Sequence, residues 1–128
     1  MEWRMKNEDI KGLDVKKGLA LVANNAAVYQ KLLKSFVTNA FCEQLLEAVK
    51  SGDPEAIRQK AHSFKGVSGN MQMGELFELT RQIEADAKSG NAAAATDESV
   101  ARLIAANKQT LESVTMLLDN PNILKELE

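Results

Sequence analysis

The chain has 128 residues, of which 45% are hydrophobic, and its formal net charge is −2 at pH 7. That length and composition suit one domain with a single modest core. The two charge signs are interspersed, which excludes the concentrated basic stripe that nucleic-acid binding needs. Cys42 is the sole cysteine, so an internal disulfide is excluded and a metal site built on cysteines is disfavoured.

Membrane insertion is not expected either. Lysine, glutamate or asparagine residues interrupt the apolar runs well before the ~18 residues that a membrane span requires. The chain begins Met-Glu-Trp-Arg-Met-Lys, which lacks the apolar region of a secretory signal peptide. We therefore expect a cytoplasmic protein without direct membrane contact.

The first part of the chain predicts two helices. A short helix over about residues 15–23 follows Asp14, a residue type that caps helix N-termini well. A longer helix starts at Ala26 behind the cap Asn25 and continues to Ser51-Gly52, where glycine ends it. Apolar side chains recur every three or four positions in both segments: Val15, Leu19, Val22, Tyr29, Leu32, Leu33, Phe36, Leu45, Leu46 and Val49.

The middle of the chain predicts two more helices. Asp53-Pro54 is a strong start signal, because aspartate caps helices and proline is favoured at the first helical position. This helix runs to about residue 70. After Gly74 the apolar positions recur until Ser89-Gly90, which predicts a fourth helix.

The last predicted helix completes an all-helical chain. Residues 91–96 form an alanine-rich connector, and a helix over about 100–118 ends before Asn120-Pro121. No segment alternates apolar and polar residues as a half-buried strand would. The predicted fold is therefore all-α: an antiparallel up-down-up-down four-helix bundle with the short first helix packed across one end. We expect a single domain over residues 1–128, with a core over about 10–118 and flexible ends.

The only histidine, His62, lies on the polar face of the helix predicted to begin at Pro54. At about 100° per residue, an apolar stripe falls within roughly 40° of one direction and should face the core. The stripe consists of Ile57, Ala61, Phe64, Ser68 and Met71. His62 lies roughly 140° from its centre, and Lys65, Gly69 and Gly66 lie at roughly 80°, 120° and 180°. All four are predicted to point towards solvent.

Two glycines on this face need an explanation, because each costs about 1 kcal/mol relative to alanine in a helix. Gly66 and Gly69 leave the surroundings of the imidazole without side chains, so another protein could approach closely. The alternatives are a tight helix–helix contact or an early end to the helix, and a lone exposed histidine is often only a solvated residue. The combination of His62, Lys65 and both glycines favours the functional interpretation.

These residues suit phosphoryl transfer to the histidine. A neutral imidazole nitrogen is a nucleophile near neutral pH, and a nearby cation stabilises the negative charge that spreads over the phosphoryl oxygens in the transition state. Lys65 lies three residues after His62, on the same face of the helix. The sequence has no phosphate-cradling glycine loop, nucleotide site or metal-binding cluster. Such a domain would rely on the chemistry of a partner, and we expect it to hold no cofactor or metal of its own.

The stretch Ala61–Gly69 resembles the motif of the histidine-containing phosphotransfer (Hpt) domain, His-x-Leu-Lys-Gly with a small residue two positions on. Phe64 replaces the leucine conservatively. The likeness covers roughly residues 10–118, because several upstream segments are similar to the entry helices of Hpt modules attached to hybrid sensor kinases. These segments are Ile10–Val15, Gly18-Leu19, Asn24-Asn25 and Tyr29–Phe36. Many family members have glycine ten residues after the histidine, where this chain has Gln72, so the turn there is expected to differ.

The resemblance implies a phosphorelay carrier in which His62 accepts a phosphoryl group from a receiver-domain aspartate and passes it to another receiver. It implies that Lys65 stabilises the phosphoryl group, that Gly66 and Gly69 provide clearance, and that Arg58 and Gln59 lie at the docking rim. The receiver would supply the Mg²⁺. The domain itself would be a monomer without kinase activity, either free or part of a membrane-bound sensor kinase, with a hybrid sensor kinase and response-regulator receivers as partners.

Two other functions fit the same residues. One is the phosphoacceptor domain of a histidine kinase of the chemotaxis type, which has a related helical bundle. The dimerising-hairpin type fits poorly, because its His-Glu-x-x-Arg-x-Pro signature is absent and Ser63-Phe64-Lys65-Gly66 follows His62 instead. The other is a helical bundle that binds a receiver without transferring phosphate.

Overall fold

The computed structural model describes residues 5–90 and 95–127, and within these ranges all regular structure is helical. A 3₁₀ turn at Asn7–Asp9 precedes seven helices in the described ranges: α1 (Val15–Leu21), α2 (Ala26–Asn39), α3 (Phe41–Ser51), α4 (Pro54–Asn70), α5 (Gly74–Lys88), α6 (Asp97–Asp119) and α7 (Asn122–Glu126). The predicted all-α class is confirmed. Most of the predicted connector at 91–96 lies outside the described residues. None of the described helices combines the length and the apolar character needed to span a bilayer.

The single long helix predicted from Ala26 to Ser51 is wrong, because the chain breaks it into α2 and α3 at Ala40. Ala40 has a left-handed backbone with φ 49°. The side-chain amide of Gln44 donates to the Asn39 carbonyl at 2.5 Å, so a side chain satisfies one of the carbonyls that the end of α2 leaves free. Neither glycine nor proline lies at this break, so the sequence periodicity did not predict the end of α2.

Three phenylalanines surround this break. Phe36 at the end of α2 and Phe41 at the start of α3 both pack against Phe64 of α4, with ring centroids 6.3 and 6.0 Å from that of Phe64. Phe36 and Phe41 also stack on each other, at 6.1 Å. These separations are typical of favourable aromatic pairs. The change of direction at Ala40 therefore places two aromatic side chains against the helix that carries His62.

The segment before α1 is tied to other parts of the molecule. Asp14 caps α1 by accepting a hydrogen bond from the Lys17 amide, and its own backbone N–H donates to the Gln72 carbonyl at 3.0 Å. Gly12 has φ 92°, and a Cβ there would lie 2.5 Å from Thr110 Oγ1, so only glycine fits against α6. The extended stretch before α1 is thus held between α6 and the turn after α4.

Helix α4 follows its prediction from Pro54 to Asn70, and Asp53 caps it through the Glu55 amide. The predicted apolar stripe is confirmed, because all five members are buried: Ile57, Ala61, Phe64, Ser68 and Met71. Helix α4 shares its most extensive interface with α5 and also packs against α3, while α6 contacts α2, α3 and α5. The two faces of α4 are therefore separated, one buried in the core and the other carrying His62.

The packed part of the chain extends beyond residue 118, which the sequence placed near the end of the core. Helix α7 follows Pro121, and Leu124 and Leu127 are both buried. The proline does stop α6, but it also begins the next short helix, because its fixed φ suits a first turn. Apolar side chains after a helix stop are thus part of the core in this protein.

Gln72 lies in the turn after α4, at the position where Hpt domains often have glycine. Gln72 has φ 58°, and two hydrogen bonds close the turn, from Met73 N to Ser68 O at 2.8 Å and from Gln72 N to Gly69 O at 3.2 Å. This pattern is the Schellman motif, in which the residue at the position of Gln72 is left-handed and usually glycine. Glutamine adopts the same backbone conformation here at a cost in strain.

We expect Gln72→Gly to stabilise the protein by about 0.5–1 kcal/mol. It removes left-handed strain of about 1–2 kcal/mol, which exceeds the roughly 0.5–1 kcal/mol that glycine costs in backbone entropy. Chemical denaturation measures the difference in free energy of unfolding. Gln72→Ala is the control, since it removes the Gln72 Nε2 to Gly69 carbonyl hydrogen bond but keeps the strain. A Gln72→Gly protein no more stable than wild type would contradict the strain argument.

Candidate functional site

His62 is exposed on the outer face of α4, as its position opposite the apolar stripe predicted. Its side chain is 64% exposed, although Ala61, one residue before it, and Phe64, two residues after it, are fully buried. Short-range geometry explains this contrast, because one residue along a helix rotates the side chain by about 100°. The imidazole is therefore accessible to a macromolecular partner while its helix is anchored in the core.

A buried carboxylate on α5 holds the imidazole. Glu84 Oε2 lies 2.6 Å from His62 Nδ1, and the Glu84 side chain is only 4% exposed. Its other oxygen, Oε1, accepts a hydrogen bond of 2.8 Å from Lys65 Nζ. Glu84 thus joins the two residues that the sequence singled out, and each of its oxygens has a different partner.

The antiparallel packing of α4 and α5 puts Glu84 opposite His62. The turn at residues 71–73 joins the two helices, so residues that follow His62 along α4 face residues that precede Glu84 along α5. Gly69 accordingly lies near Phe77, seven residues before Glu84. The pairing of His62 with Glu84 depends on this register between two helices.

Glu84 is ionised under ordinary conditions. Burial alone raises the pKa of this carboxyl group, but the hydrogen bonds from Lys65 and His62 lower it by more, so the pKa of Glu84 lies below its usual value. An ionised carboxylate only accepts hydrogen bonds, so His62 Nδ1 must carry the proton that it shares with Oε2. The lone pair of a neutral His62 is then on Nε2, the nitrogen that Glu84 does not hold.

A second cation stands beside this carboxylate. Lys88 follows Glu84 by four residues on α5, and its Nζ lies 3.7 Å from Glu84 Oε1. The sequence singled out neither Glu84 nor Lys88. Glu84 follows the buried Ile83 and lies beside the apolar stripe of α5. Because buried carboxylates are nearly always paired, this position could have indicated a cation on a neighbouring helix.

The two glycines have different surroundings. A Cβ at Gly66 would meet nothing within 4 Å, so this part of the helix face is open beside His62. A Cβ at Gly69 would lie 3.2 Å from Phe77 Cδ2 of α5, closer than ordinary packing allows. Gly69 is half-buried rather than solvent-facing as predicted, because α5 covers its side of α4. The tight helix–helix contact, which the sequence offered as an alternative, applies to Gly69 and not to Gly66.

The two residues predicted at the docking rim are both attached to Glu55. Arg58 makes two hydrogen bonds to the Glu55 carboxylate, at 2.6 and 2.9 Å, and is partly exposed. Gln59 Nε2 donates to the same carboxylate at 3.3 Å, and its side chain is exposed. They form a polar surface one turn before His62, with the guanidinium held in a fixed orientation.

The structure predicts that folding stability falls in acid through Glu84. A carboxyl group whose pKa is lower in the folded than in the unfolded protein stabilises the fold at pH values above its pKa in the unfolded protein, which is 4.5 for Glu84. That stabilisation is lost as pH falls through the lower folded pKa. We expect the stability gap between wild type and Glu84→Gln to narrow below pH 4.5 in urea unfolding. A gap that stays constant from pH 7 to pH 3 would contradict this.

The described residues contain no group of three or more histidine, cysteine, aspartate or glutamate side chains placed to hold a metal ion. The site consists of one exposed imidazole, one buried carboxylate and two lysines. Its exposed imidazole and accompanying cation suit the capture of a phosphoryl group brought by another protein.

Comparison with known proteins agrees with this chemistry. Neither the curated proteins nor the solved structures gave a match to this chain. The family model described as "Hpt domain" matches residues 32–119, which include α3, α4, α5 and α6 as well as every residue of the site. With more than two thirds of its length matched, and with a histidine displayed on the helix where the motif lies, the chain belongs to the Hpt domain family.

Proposed function

We propose that this domain is a phosphorelay intermediate in which His62 accepts a phosphoryl group from a receiver-domain aspartate and passes it to another receiver. Hpt domains carry phosphoryl groups on histidine and interact with receiver domains of two-component systems. The observation that carries the proposal is the Glu84–His62 hydrogen bond on an otherwise exposed imidazole. It supports Nε2 as the nucleophile.

Transfer of the phosphoryl group to His62 needs no proton donor. The Nε2 lone pair attacks the phosphorus, the N–P bond forms, and the P–O bond to the aspartate of the receiver breaks. The receiver recovers its carboxylate, and the imidazole becomes positively charged while it keeps the proton on Nδ1. Glu84 Oε2 lies 2.6 Å from that nitrogen, so it stabilises the positive charge as it develops. The reverse step, to a second receiver, uses the same contacts.

Lys65 is proposed to stabilise the phosphoryl oxygens. Its side chain is 25% exposed and its ammonium lies at the edge of the buried carboxylate. A lysine ammonium has three N–H donors on a flexible stem, so it can follow the phosphoryl group when the group arrives. Mg²⁺ is proposed to belong to the receiver, and this domain to act as a carrier without ATP or kinase activity of its own.

The surroundings of His62 suggest how a receiver docks. The open space at Gly66 supports close approach of the receiver, and Arg58 and Gln59 offer a fixed polar rim next to it. We assign Gly69 a role in placing α5, since its contact with Phe77 sets how close the two helices lie.

The topology of the bundle, the oligomeric state, the location and the partners are further parts of the proposal. The helices are proposed to form an up-down-up-down four-helix bundle in which the broken α2–α3 unit, α4, α5 and α6 alternate in direction, and their short connections support this topology. The protein is proposed to be a cytoplasmic monomer that works with a hybrid sensor kinase and its response regulators.

The test is transfer of labelled phosphate from a panel of phosphorylated receivers to the purified protein. Rapid labelling that is lost in acid and maps by mass spectrometry to the peptide containing residue 62 is the expected result. Labelling by a histidine kinase catalytic domain, but by no receiver, would favour the chemotaxis-type acceptor instead. Binding of receivers without labelling would favour a receiver-binding bundle.

A further inference from the structure

Two lysines share one oxygen of the buried carboxylate. Lys65 Nζ donates to Glu84 Oε1 at 2.8 Å, and Lys88 Nζ lies 3.7 Å from the same atom. The longer distance is that of an ion pair without a hydrogen bond. The Lys88 side chain is 58% exposed and that of Lys65 is 25% exposed, so Lys88 has more freedom to move.

The proposed transfer makes two demands on Lys65. The Glu84 side chain is 4% exposed, and a buried carboxylate that loses its cation is strongly destabilised. The phosphoryl group, however, is carried on Nε2, which points away from the Nδ1 that Glu84 holds. Movement of Lys65 towards the phosphoryl oxygens therefore weakens its contact with Glu84.

We propose that Lys88 takes the place of Lys65 at Glu84 Oε1 when Lys65 turns to the phosphoryl group. The inference rests on the proposed function, and it adds a positioning residue that the motif does not contain. Lys88 acts through Glu84 and Lys65 and does not touch the phosphoryl group. An approach of about 1 Å brings its ammonium from an ion pair to hydrogen-bond distance.

Lys88 is better suited to this exchange than the other cation near the site. Arg58 makes two hydrogen bonds to Glu55 at 2.6 and 2.9 Å, and leaving them would free a second carboxylate. The Lys88 ammonium has an ion pair with Glu84 but makes no hydrogen bond within the described residues. It also lies on α5 with Glu84, so the exchange needs no movement of one helix against another.

A double-mutant cycle tests the exchange without any phosphoryl chemistry. If Lys88 substitutes for Lys65, then Lys65→Met and Lys88→Met each leave Glu84 with one cation, whereas the double variant leaves none. We expect the unfolding equilibrium constant of the double variant to exceed the value expected from the two single effects by about fivefold. In a Glu84→Gln background the same cycle should be additive, because no carboxylate remains. Additivity with Glu84 present would overturn the proposal.

The second measurement is the rate at which phosphoramidate, a small phosphoryl donor, phosphorylates His62. Lys88→Met should slow this reaction about fivefold, because Lys65 then stays on Glu84, and Lys88→Arg should restore it, because arginine can also donate to the carboxylate. Lys108→Met, at an exposed position on α6, is the control for the change in net charge. Equal slowing in the Lys88 and Lys108 variants would show that the lower rate comes only from the change in net charge. That result would overturn the proposed exchange.

The double-mutant cycle and the transfer assay with phosphorylated receivers separate this inference from the proposed function. A non-additive cycle together with no transfer from any receiver would support the shared carboxylate and reject the relay. Transfer from receivers together with an additive cycle would support the relay and reject the exchange.

Discussion

His62→Gln is expected to reduce phosphoryl acceptance to background while the protein stays folded. The variant removes the only imidazole in the chain, and an amide nitrogen has no lone pair that can attack phosphorus. Glutamine is preferable to alanine because its amide can still donate a hydrogen bond to Glu84, which keeps the buried carboxylate paired. Labelling from phosphorylated receivers measures the loss, and circular dichroism verifies the helical fold.

Receiver binding shows whether labelling is lost because the phosphoryl acceptor is missing or because the receiver no longer docks. The Gly66, Arg58 and Gln59 surface is unchanged in His62→Gln, so receivers should bind the variant with an affinity similar to that of wild type. Labelling that persists in His62→Gln would place the phosphoryl group on another residue and would falsify the assignment of His62. Loss of binding as well as labelling would show instead that the imidazole is part of the docking contact.

Glu84→Gln is expected to slow phosphoryl acceptance by about 10- to 100-fold. Partners that orient a metal-bound histidine through its second nitrogen have effects of this size when they are removed, and Glu84 makes the same kind of contact with His62. Two causes combine here. The neutral amide no longer stabilises the positive charge that forms on the ring, and its NH₂ group can donate to Nδ1, which moves the proton to Nε2 and removes the nucleophilic lone pair.

Glu78→Gln is the matched control for this variant. Glu78 is also on α5, but its side chain is 61% exposed and pairs with Arg81, so the same charge is removed without any contact with His62. Its transfer rate should stay near that of wild type. Nitrogen-15 NMR of the imidazole adds a direct observation, since wild type should have its proton on Nδ1. Equal rates for Glu84→Gln and wild type would show that the hydrogen bond contributes only to stability.

Local signals were sufficient for the helix that carries the site. The cap Asp53, the proline that follows it and the spacing of buried residues act within a few positions along the chain. They predicted α4 from Pro54 to Asn70 and the exposure of His62, because the direction of a side chain on a helix follows from its position in the sequence.

Other features depended on contacts that periodicity does not contain. The break at Ala40 has no glycine or proline, and it accompanies the packing of Phe36 and Phe41 against Phe64. The burial of Leu124 likewise depends on where the end of the chain lies against the bundle. In both cases distant side chains outweighed a local signal that favoured a different result.

The sequence by itself determined the all-helical class, the extent of α4 and the exposure of His62. Lys65 was predicted to point towards solvent, but its side chain is only 25% exposed because it reaches the buried Glu84. Only the tertiary structure decided which residues complete the site: Glu84 between His62 and Lys65, Lys88 beside it, and Gly69 against Phe77. The physical reason is the register between α4 and α5. Periodicity gives the face of each helix, but the packing of side chains in the whole core sets how far one helix is shifted along the other.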